Sequence, residues 1–222
     1  TTEKVMHQIY CVPFLPIKRP EWYKFAGAEY TVGSDCFMPD GKLIQQPSTH
    51  LMGQKFSKAF GATFKNKEEK EEYLWTTAYG PAVSRILASV IATHGDDSGL
   101  ILPYSISPIQ VIIIPIFNAE NKNKVLKKSK EILNQLEKEN IKAEIDERDY
   151  KRPGEKYNIW ELKGVPFRIE LGEKELEKDE ILLFVRDTKE KKKLKLKDLK
   201  KINEFGKEFD KRLREKADKF MN

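Results

Sequence analysis

The sequence predicts two domains, an α+β domain of antiparallel strands and helices followed by an α/β domain with a largely parallel sheet. Three observations support this prediction. The 222 residues are about one and a half times a typical domain length. Extended segments pair around a turn in the first half, whereas they alternate with helical segments in the second half. A segment with two prolines, 103–108, separates the two patterns.

The first half opens with a predicted antiparallel hairpin. Residues 29–38 and 42–48 are extended in character, and Pro39-Asp40-Gly41 supplies the turn between them. A helix is expected over 51–60, with Gly61 as its stop. Beyond it we predict the extended stretches 62–65 and 73–78 around a charged loop, and a helix over 83–93 whose apolar side chains recur at helical spacing.

The second half alternates strands with helices, which is typical of a sheet with right-handed crossovers. The apolar run from Val111 to Ile116 is the first strand. Further strands are predicted over 141–146, 165–171 and 181–186, and helices over 121–140, 155–163 and 198–220. The sequence therefore divides into 1–102, a linker at 103–108, and a second domain at 109–222.

Charge is unevenly distributed along the chain. The net charge is +6, and residues 1–100 carry 11 basic and 11 acidic side chains, so the whole excess lies in the second half. Such asymmetry favours an anionic partner, either nucleic acid or a phosphate-bearing ligand. The same excess is also compatible with a role in solubility alone.

Composition and motifs exclude several classes of protein. Apolar stretches are far shorter than the roughly 20 residues that cross a bilayer, and the N-terminus has no basic-then-apolar leader, so we expect neither a membrane protein nor a secretory signal. Two cysteines without a CxxC pair and three scattered histidines predict no disulfide scaffold, no metal site and a reducing cytoplasm. Phosphate loops, dinucleotide turns, HExxH helices and GxSxG elbows are absent from the sequence.

The segment 76–85 is a candidate nucleotide site. Small residues, Gly80 and Ala82, would let a flat ligand approach the backbone where a strand runs into a helix. Arg85 in the first helical turn offers a planar, permanently charged fork for phosphate oxygens. The alternative is a strand-to-helix turn with an exposed arginine.

A longer set of motifs resembles one family, the prolyl-tRNA synthetases among the class II aminoacyl-tRNA synthetases, in its archaeal and eukaryotic-like form. Residues 79–85 followed by 94–100 are similar to the family's motif 3. The other similar segments are 19–22, 24–31 and 38–42 in the catalytic core, and 109–115, 149–154 and 160–168 in the anticodon-binding domain. The resemblance implies a partial antiparallel-sheet class II core followed by an α/β anticodon-binding domain with a mixed, largely parallel sheet.

The resemblance implies a ligase that activates proline with ATP and Mg²⁺ to prolyl-adenylate and then charges tRNA(Pro), working as a homodimer in the cytoplasm. Arg85 would stabilise the triphosphate as the catalytic residue. Gln45, Gly80, Ala82, Ser84 and Arg85 would bind ATP, and Gln45, Ser48 and His50 would bind proline. Strand alternation also places Ser48 and His50 on one face. A satisfied structural histidine is the alternative for His50.

The second domain carries the residues that the resemblance assigns to the tRNA anticodon. Tyr157 would stack on a base, Glu161 would accept hydrogen bonds from a guanine edge, and Arg168 would bridge base and phosphate. Tyr157 and Glu161 are four apart and therefore share a helical face. The expected phosphate contacts are Lys156, Lys163 and Lys191. The lysine-rich run 189–201 would otherwise be read as a solvated surface.

The sequence also departs from the family pattern. Gln46 and Pro47 stand where glycines usually precede Ser48. The dimer helix of motif 1, the arginine loop of motif 2 and the TxE proline loop are missing, so we expect a C-terminal portion of a larger synthetase that is inactive on its own. The rival hypothesis is a non-catalytic tRNA-binding or regulatory paralogue. A generic α/β nucleic-acid-binding domain is a third hypothesis.

Overall fold

The structure of the protein is a computed structural model that describes residues 2–221. The turn at Pro39-Asp40-Gly41 joins two antiparallel strands in it, as the sequence predicts. The chain divides into two compact units. The first consists of residues 12–89 with the N-terminal residues up to His7, and the second of residues from Val90 onward with Gln8–Cys11. No helix among residues 2–221 is long and apolar enough to cross a membrane.

The first unit is built on a four-stranded antiparallel sheet of order β1-β2-β3-β6. A separate two-stranded hairpin, β4-β5, carries the predicted charged loop at its turn. The elements are a π-helical turn over Lys4–Ile9, β1 (Leu15–Lys18), β2 (Tyr30–Phe37), β3 (Leu43–Gly53), α1 (Lys55–Phe60), β4 (Thr63–Lys65), β5 (Glu71–Tyr73), β6 (Thr76–Gly80) and α2 (Val83–His94), the first and last of which extend into the second unit.

Two boundaries in the first unit differ from the sequence prediction. The helix expected over 51–60 begins only at Lys55, because Leu51 pairs with both Tyr30 and Thr77 and extends β3 to Gly53. The stretch expected over 73–78 is divided between two sheets, because β5 pairs with β4 and β6 pairs with β3. The predicted stop is confirmed, since Gly61 adopts a left-handed backbone after α1.

The second unit is an α/β layer structure around a five-stranded mixed sheet of order β11-β10-β9-β7-β8. β7 runs parallel to both β8 and β9, whereas β10 is antiparallel to both β9 and β11. The elements are β7 (Val111–Pro115), α3 (Lys122–Lys138), β8 (Ala143–Ile145), α4 (Pro153–Leu162), β9 (Phe167–Leu171), α5 (Glu173–Glu177), β10 (Glu180–Val185), β11 (Lys191–Lys195), a 3-10 helix (Leu196–Lys201) and α6 (Ile202–Met221).

Helices cover both faces of this sheet around β7. Side chains of α3 and α6, among them Ile132 and Phe209, pack with Val111 and Ile113 in the larger core cluster. Trp160 of α4 packs on the opposite face in a smaller cluster with Ile112 and Ile114. The buried run in β7 therefore reflects a strand covered on both sides, which confirms the predicted α/β class.

The segment 103–108, predicted as a linker, lies within the second unit. The backbone N–H groups of Tyr104 and Ser105 donate to the two carboxylate oxygens of Asp210, at 2.5 and 3.0 Å. Ser107 is fully buried, and its hydroxyl donates to the Pro103 carbonyl at 3.0 Å. The residues from Pro103 to Ser107 thus form a turn packed against α6, and the placement of a domain boundary at 103–108 stays a prediction.

Candidate functional site

A β-bulge in β3 determines which of its side chains share a face. Asp35 of β2 pairs with Gln45 and Gly33 pairs with Ser48, so one intervening residue of β2 lies opposite two of β3, 46–47. On a regular strand, residues three apart project from opposite faces. The additional residue of the bulge changes this, so that Gln45 and Ser48 project from the same face. A bulged residue leaves the ladder, and a buried proline can therefore occupy this position without losing a strand hydrogen bond.

His50 lies on the same face and is held at both ring nitrogens. Nδ1 is 2.8 Å from the Thr31 hydroxyl, and Nε2 is 2.9 Å from the Ser48 hydroxyl. The Phe25 ring packs against the imidazole at a centroid distance of 4.8 Å. Because a neutral imidazole has one donor and one acceptor nitrogen, these two hydroxyls fix the orientation of the ring. These hydrogen bonds give His50 a structural role, which was the alternative interpretation of the sequence. A contact between His50 and an amino acid stays a prediction.

Arg19 completes this face and was missed by the sequence reasoning. Its Nη1 donates to Asp35 at 2.7 Å, and its Nη2 lies 3.4 Å from Gln45 Oε1. The Arg19 side chain is 9% exposed, and the bond to Asp35 holds the pKa of Arg19 above its ordinary value. A Cβ at Gly33 would overlap the guanidinium, so a larger residue there would displace Arg19 from its present position. Gly33 was the available signal for Arg19 in the sequence, since an isolated glycine inside a strand often marks a place where another group lies close to the backbone.

The predicted nucleotide segment lies beside this face. Gly80 at the end of β6 pairs with Ser48, and a Cβ built on Gly80 would lie 3.6 Å from the Ser48 hydroxyl. Ala82 is buried, whereas Ser84 and Arg85 are exposed in the first turn of α2. Among the described residues no carboxylate pairs with the Arg85 guanidinium. This positive charge is therefore available to an anionic ligand.

Arg168 is the centre of a second cluster, in the second unit. Its guanidinium lies between two aromatic rings, 3.9 Å from the Tyr157 centroid and 4.0 Å from the Phe184 centroid. Nη1 donates to Glu161 at 2.6 Å and Nη2 donates to Glu170 at 2.9 Å. The Arg168 side chain is only 5% exposed, so the two carboxylates neutralise a buried cation.

The exposed part of this cluster is formed by Tyr157, Glu161 and Lys191. The Lys191 ammonium pairs with Glu170 at 2.9 Å and remains 46% exposed. The Glu161 carboxylate is 20% exposed beside it. Burial raises the pKa of Tyr157 to about 12, so the phenol stays protonated and can donate a hydrogen bond. The cluster offers an aromatic ring, a carboxylate acceptor and a cation to a partner such as a nucleobase with its phosphate.

Glu170 was also missed, although β9 carries a usable signal. The strand alternates apolar and charged residues, Phe-Arg-Ile-Glu-Leu, while all five are buried. Charged residues at two alternate positions of a buried strand require partners on that face. Arg168 and Glu170 are those mutual partners.

The structure does not place Lys156 at the surface, where a phosphate contact was expected. The side chain is 3% exposed, and its ammonium donates to the Asp146 backbone carbonyl at 2.9 Å. Burial lowers the pKa of Lys156. Lys163 is exposed, with its ammonium 4.2 Å from the Trp160 ring centroid. Lys163 and Lys191 therefore remain candidates for phosphate contacts, and Lys156 does not.

Within residues 2–221 no group of three or more His, Cys, Asp or Glu side chains is arranged to hold a metal ion. Cys11 and Cys36 are both buried and free. Burial raises the pKa of Cys11 to about 12 and that of Cys36 to about 11, so both thiols stay protonated.

Comparisons with known proteins extend over both units. A family model described as an anticodon binding domain matches residues 110–204. Proteins named proline–tRNA ligase are 45% identical over 87% of this chain in Thermofilum pendens and 40% identical over 94% of it in Methanopyrus kandleri. The chain spans 40% and 44% of the length of these two relatives.

A solved structure is similar over nearly the whole chain. It is that of prolyl-tRNA synthetase from Cryptosporidium parvum, complexed with halofuginone and AMPPNP. The similarity has a TM-score of 0.89 at 36% identity and covers 97% of this chain and 45% of the other.

Proposed function

We propose that this chain, which belongs to the prolyl-tRNA synthetase family, forms part of a proline–tRNA ligase in the cytoplasm. Such an enzyme activates proline with ATP to prolyl-adenylate and transfers the prolyl group to tRNA(Pro). The observation that carries this proposal is the extent of the similarity, which reaches 94% of the chain and so includes both units. A protein related only through its anticodon-binding domain would match about half of it.

The first unit would supply part of the adenylate-forming site. In that reaction the proline carboxylate attacks the α-phosphate, and negative charge develops on the phosphate oxygens. Arg85 is exposed and has no carboxylate partner among the described residues, so its guanidinium fits an anionic triphosphate. Gly80, Ala82 and Ser84 would border the nucleotide, and Mg²⁺ would enter with the ATP phosphates.

Proline would lie on the sheet face that the β-bulge creates. Gln45, Ser48 and His50 would face it, with the Ser48 hydroxyl and the imidazole held in place by their mutual bond. Arg19 and Asp35 would support Gln45 from the same face. The polar atoms on this face suit the amino and carboxylate groups of a small amino acid.

The second unit would bind the anticodon of tRNA(Pro). Tyr157 would stack on a base, and Glu161 would accept from a guanine edge. Arg168 is occupied by two carboxylates, so it would hold Glu161 in position and touch RNA only through its exposed edge. Lys163 and Lys191 would contact phosphates. Dimer formation through the class II core is part of the same proposal.

The test is proline-dependent exchange between pyrophosphate and ATP. The complete ligase that carries this sequence should catalyse the exchange and charge tRNA(Pro), and the 222-residue chain alone should do neither. Exchange by the 222-residue chain would contradict the claim that essential groups lie elsewhere in the ligase. A complete protein that binds tRNA(Pro) without exchange would instead establish the non-catalytic alternative.

A further inference from the structure

The β-bulge in β3 has a second consequence, on the opposite side of the sheet. While Gln45 and Ser48 project from one face, Gln46 between them projects from the other and is fully buried. Its Nε2 donates to the Ser89 hydroxyl of α2 at 2.7 Å and lies 3.5 Å from the Arg85 backbone carbonyl. One side chain of β3 thus reaches the first two turns of α2.

Gln46 contacts the helix at two positions four residues apart. The Arg85 carbonyl and the Ser89 side chain are neighbours, because residues four apart lie one helical turn apart, whereas the Arg85 side chain itself is exposed. Ser89 is itself fully buried, and its hydroxyl also contacts the Met38 sulfur at 3.6 Å. The contact therefore anchors α2 to β3 one helical turn after Arg85.

The side-chain carbonyl oxygen of Gln46, Oε1, is in an energetically unfavourable environment. It is one of the buried side-chain atoms that have no hydrogen-bond partner in the described part of the chain. A buried unpaired amide oxygen lowers stability, so an apolar residue of similar volume would stabilise this position. The presence of glutamine at this position is therefore best explained by the hydrogen bond of its amide nitrogen, Nε2.

We propose that Gln46 is a positioning residue for Arg85. It ties the helix that carries Arg85 to the strand that carries Gln45 and Ser48, and so sets the distance between the nucleotide and amino-acid sides of the site. The inference rests on the proposed function, since it takes Arg85 to bind ATP.

The test substitutes Gln46→Met in the complete ligase, because methionine keeps the volume and removes both polar ends. We expect the KM for ATP in pyrophosphate exchange to rise about three- to tenfold, the equivalent of one hydrogen bond. The KM for proline should stay unchanged, and the melting temperature should stay constant or rise. Ser89→Ala, which removes the acceptor, should raise the KM for ATP in the same way.

Two further variants separate positioning from general structure. In an Arg85→Ala background Gln46→Met should have no additional effect on the KM for ATP, since no guanidinium remains to be positioned. Ser57→Ala, a buried serine of α1 that donates to the Gln54 and Leu74 carbonyls, should lower the melting temperature and leave both KM values unchanged.

The possible outcomes are distinct. Equal effects of Gln46→Met on both substrates, no effect on either, or a full effect in the Arg85→Ala background would each overturn the positioning role. If Arg85→Ala itself leaves the KM for ATP and the exchange rate unchanged, the proposed function of Arg85 fails instead. If Gln46→Met does not fold, Ser89→Ala still decides the question.

Discussion

Arg186 and Asp96 form a two-point ion pair that holds the loop after α2 against the C-terminal end of α4. The guanidinium of Arg186 is fully buried and donates to both Asp96 oxygens, at 2.9 and 2.6 Å, and to the Glu161 carbonyl at 3.3 Å. Gly99 in the same loop has φ +126°, and a Cβ there would overlap the Leu162 backbone. The position of the Glu161 backbone therefore depends on this loop.

Asp96→Asn should destabilise the chain by about 3 kcal/mol, because it leaves the Arg186 cation buried without a counter-charge. The hydrogen bonds to Arg186 hold the pKa of Asp96 well below its ordinary value. The stabilisation is thus fully present above the unfolded-state pKa, near 4, and is lost as the pH falls through the lower folded-state value. Urea unfolding of both proteins at several pH values measures this, and equal stabilities at pH 7 would contradict it.

The sequence patterns missed two strands, β11 and β1, and neither has buried residues that recur. β11 has Leu194 as its single buried residue among four lysines, so it resembles a solvated run although it is an edge strand paired with β10. β1 is exposed throughout and was missed for the same reason. In both cases hydrogen bonds to the neighbouring strand hold the strand in place, and the local sequence pattern does not predict these bonds.

The candidate site shows the same division between local and distant information. The sequence placed Ser48 beside His50, because that relationship depends on strand alternation. Gln45 was predicted from the resemblance to the family. It shares a face with Ser48 and His50 because of the β-bulge. Arg19 and Asp35 are 16 residues apart, and the structure alone shows their contact. Distant pairings of this kind determine the site and cannot be read from spacing.

Arg85→Ala in the complete ligase should lower proline-dependent pyrophosphate exchange at least tenfold. A charge-assisted phosphate contact contributes about 1.5–3 kcal/mol, which corresponds to a factor of roughly ten to one hundred. Since Arg85 is exposed and forms no ion pair among the described residues, its removal should leave thermal stability unchanged. Unaltered exchange kinetics would remove Arg85 from the ATP site.

His50→Ala should raise the KM for proline with little change in the KM for ATP, because the imidazole is proposed to face the amino acid. The variant also removes the imidazole from the Thr31 and Ser48 hydroxyls, of which Thr31 still accepts from the Phe25 backbone N–H, so a loss of stability of about 1–3 kcal/mol is expected. Steady-state exchange kinetics and a thermal melt separate the two effects. A stability loss with unchanged proline KM would assign His50 to structure alone.

Lys156→Met should reduce stability and leave RNA binding by the 222-residue chain unaffected. The Lys156 ammonium is buried against Asp146 and cannot reach a phosphate. Lys163→Ala should do the reverse. It should lower the salt dependence of binding, with the logarithmic slope reduced by about 0.7 for one lost phosphate contact. Titration with an anticodon stem-loop at several salt concentrations checks both variants.

Glu161→Ala tests whether the second unit reads a base or only attracts RNA. Glu161 accepts one bond from Arg168, while Arg168 keeps Glu170, so the arginine retains a partner in the variant. We expect discrimination between proline-type and mismatched anticodon stem-loops to fall by about 1–3 kcal/mol, by analogy with base contacts in DNA. Fluorescence titration with both RNAs gives the difference directly.

Two comparison variants decide how a change in Glu161→Ala is interpreted. Removing a carboxylate also removes repulsion, so affinity for mismatched RNA should stay constant or increase, and Glu137→Ala, at an exposed position of α3, should reproduce that part alone. Lys191→Ala should weaken all RNAs alike and flatten their salt dependence, as a lost phosphate contact does. If Glu161→Ala and Lys191→Ala weaken matched and mismatched RNAs equally, Glu161 reads no base, and specificity must come from other residues around Arg168.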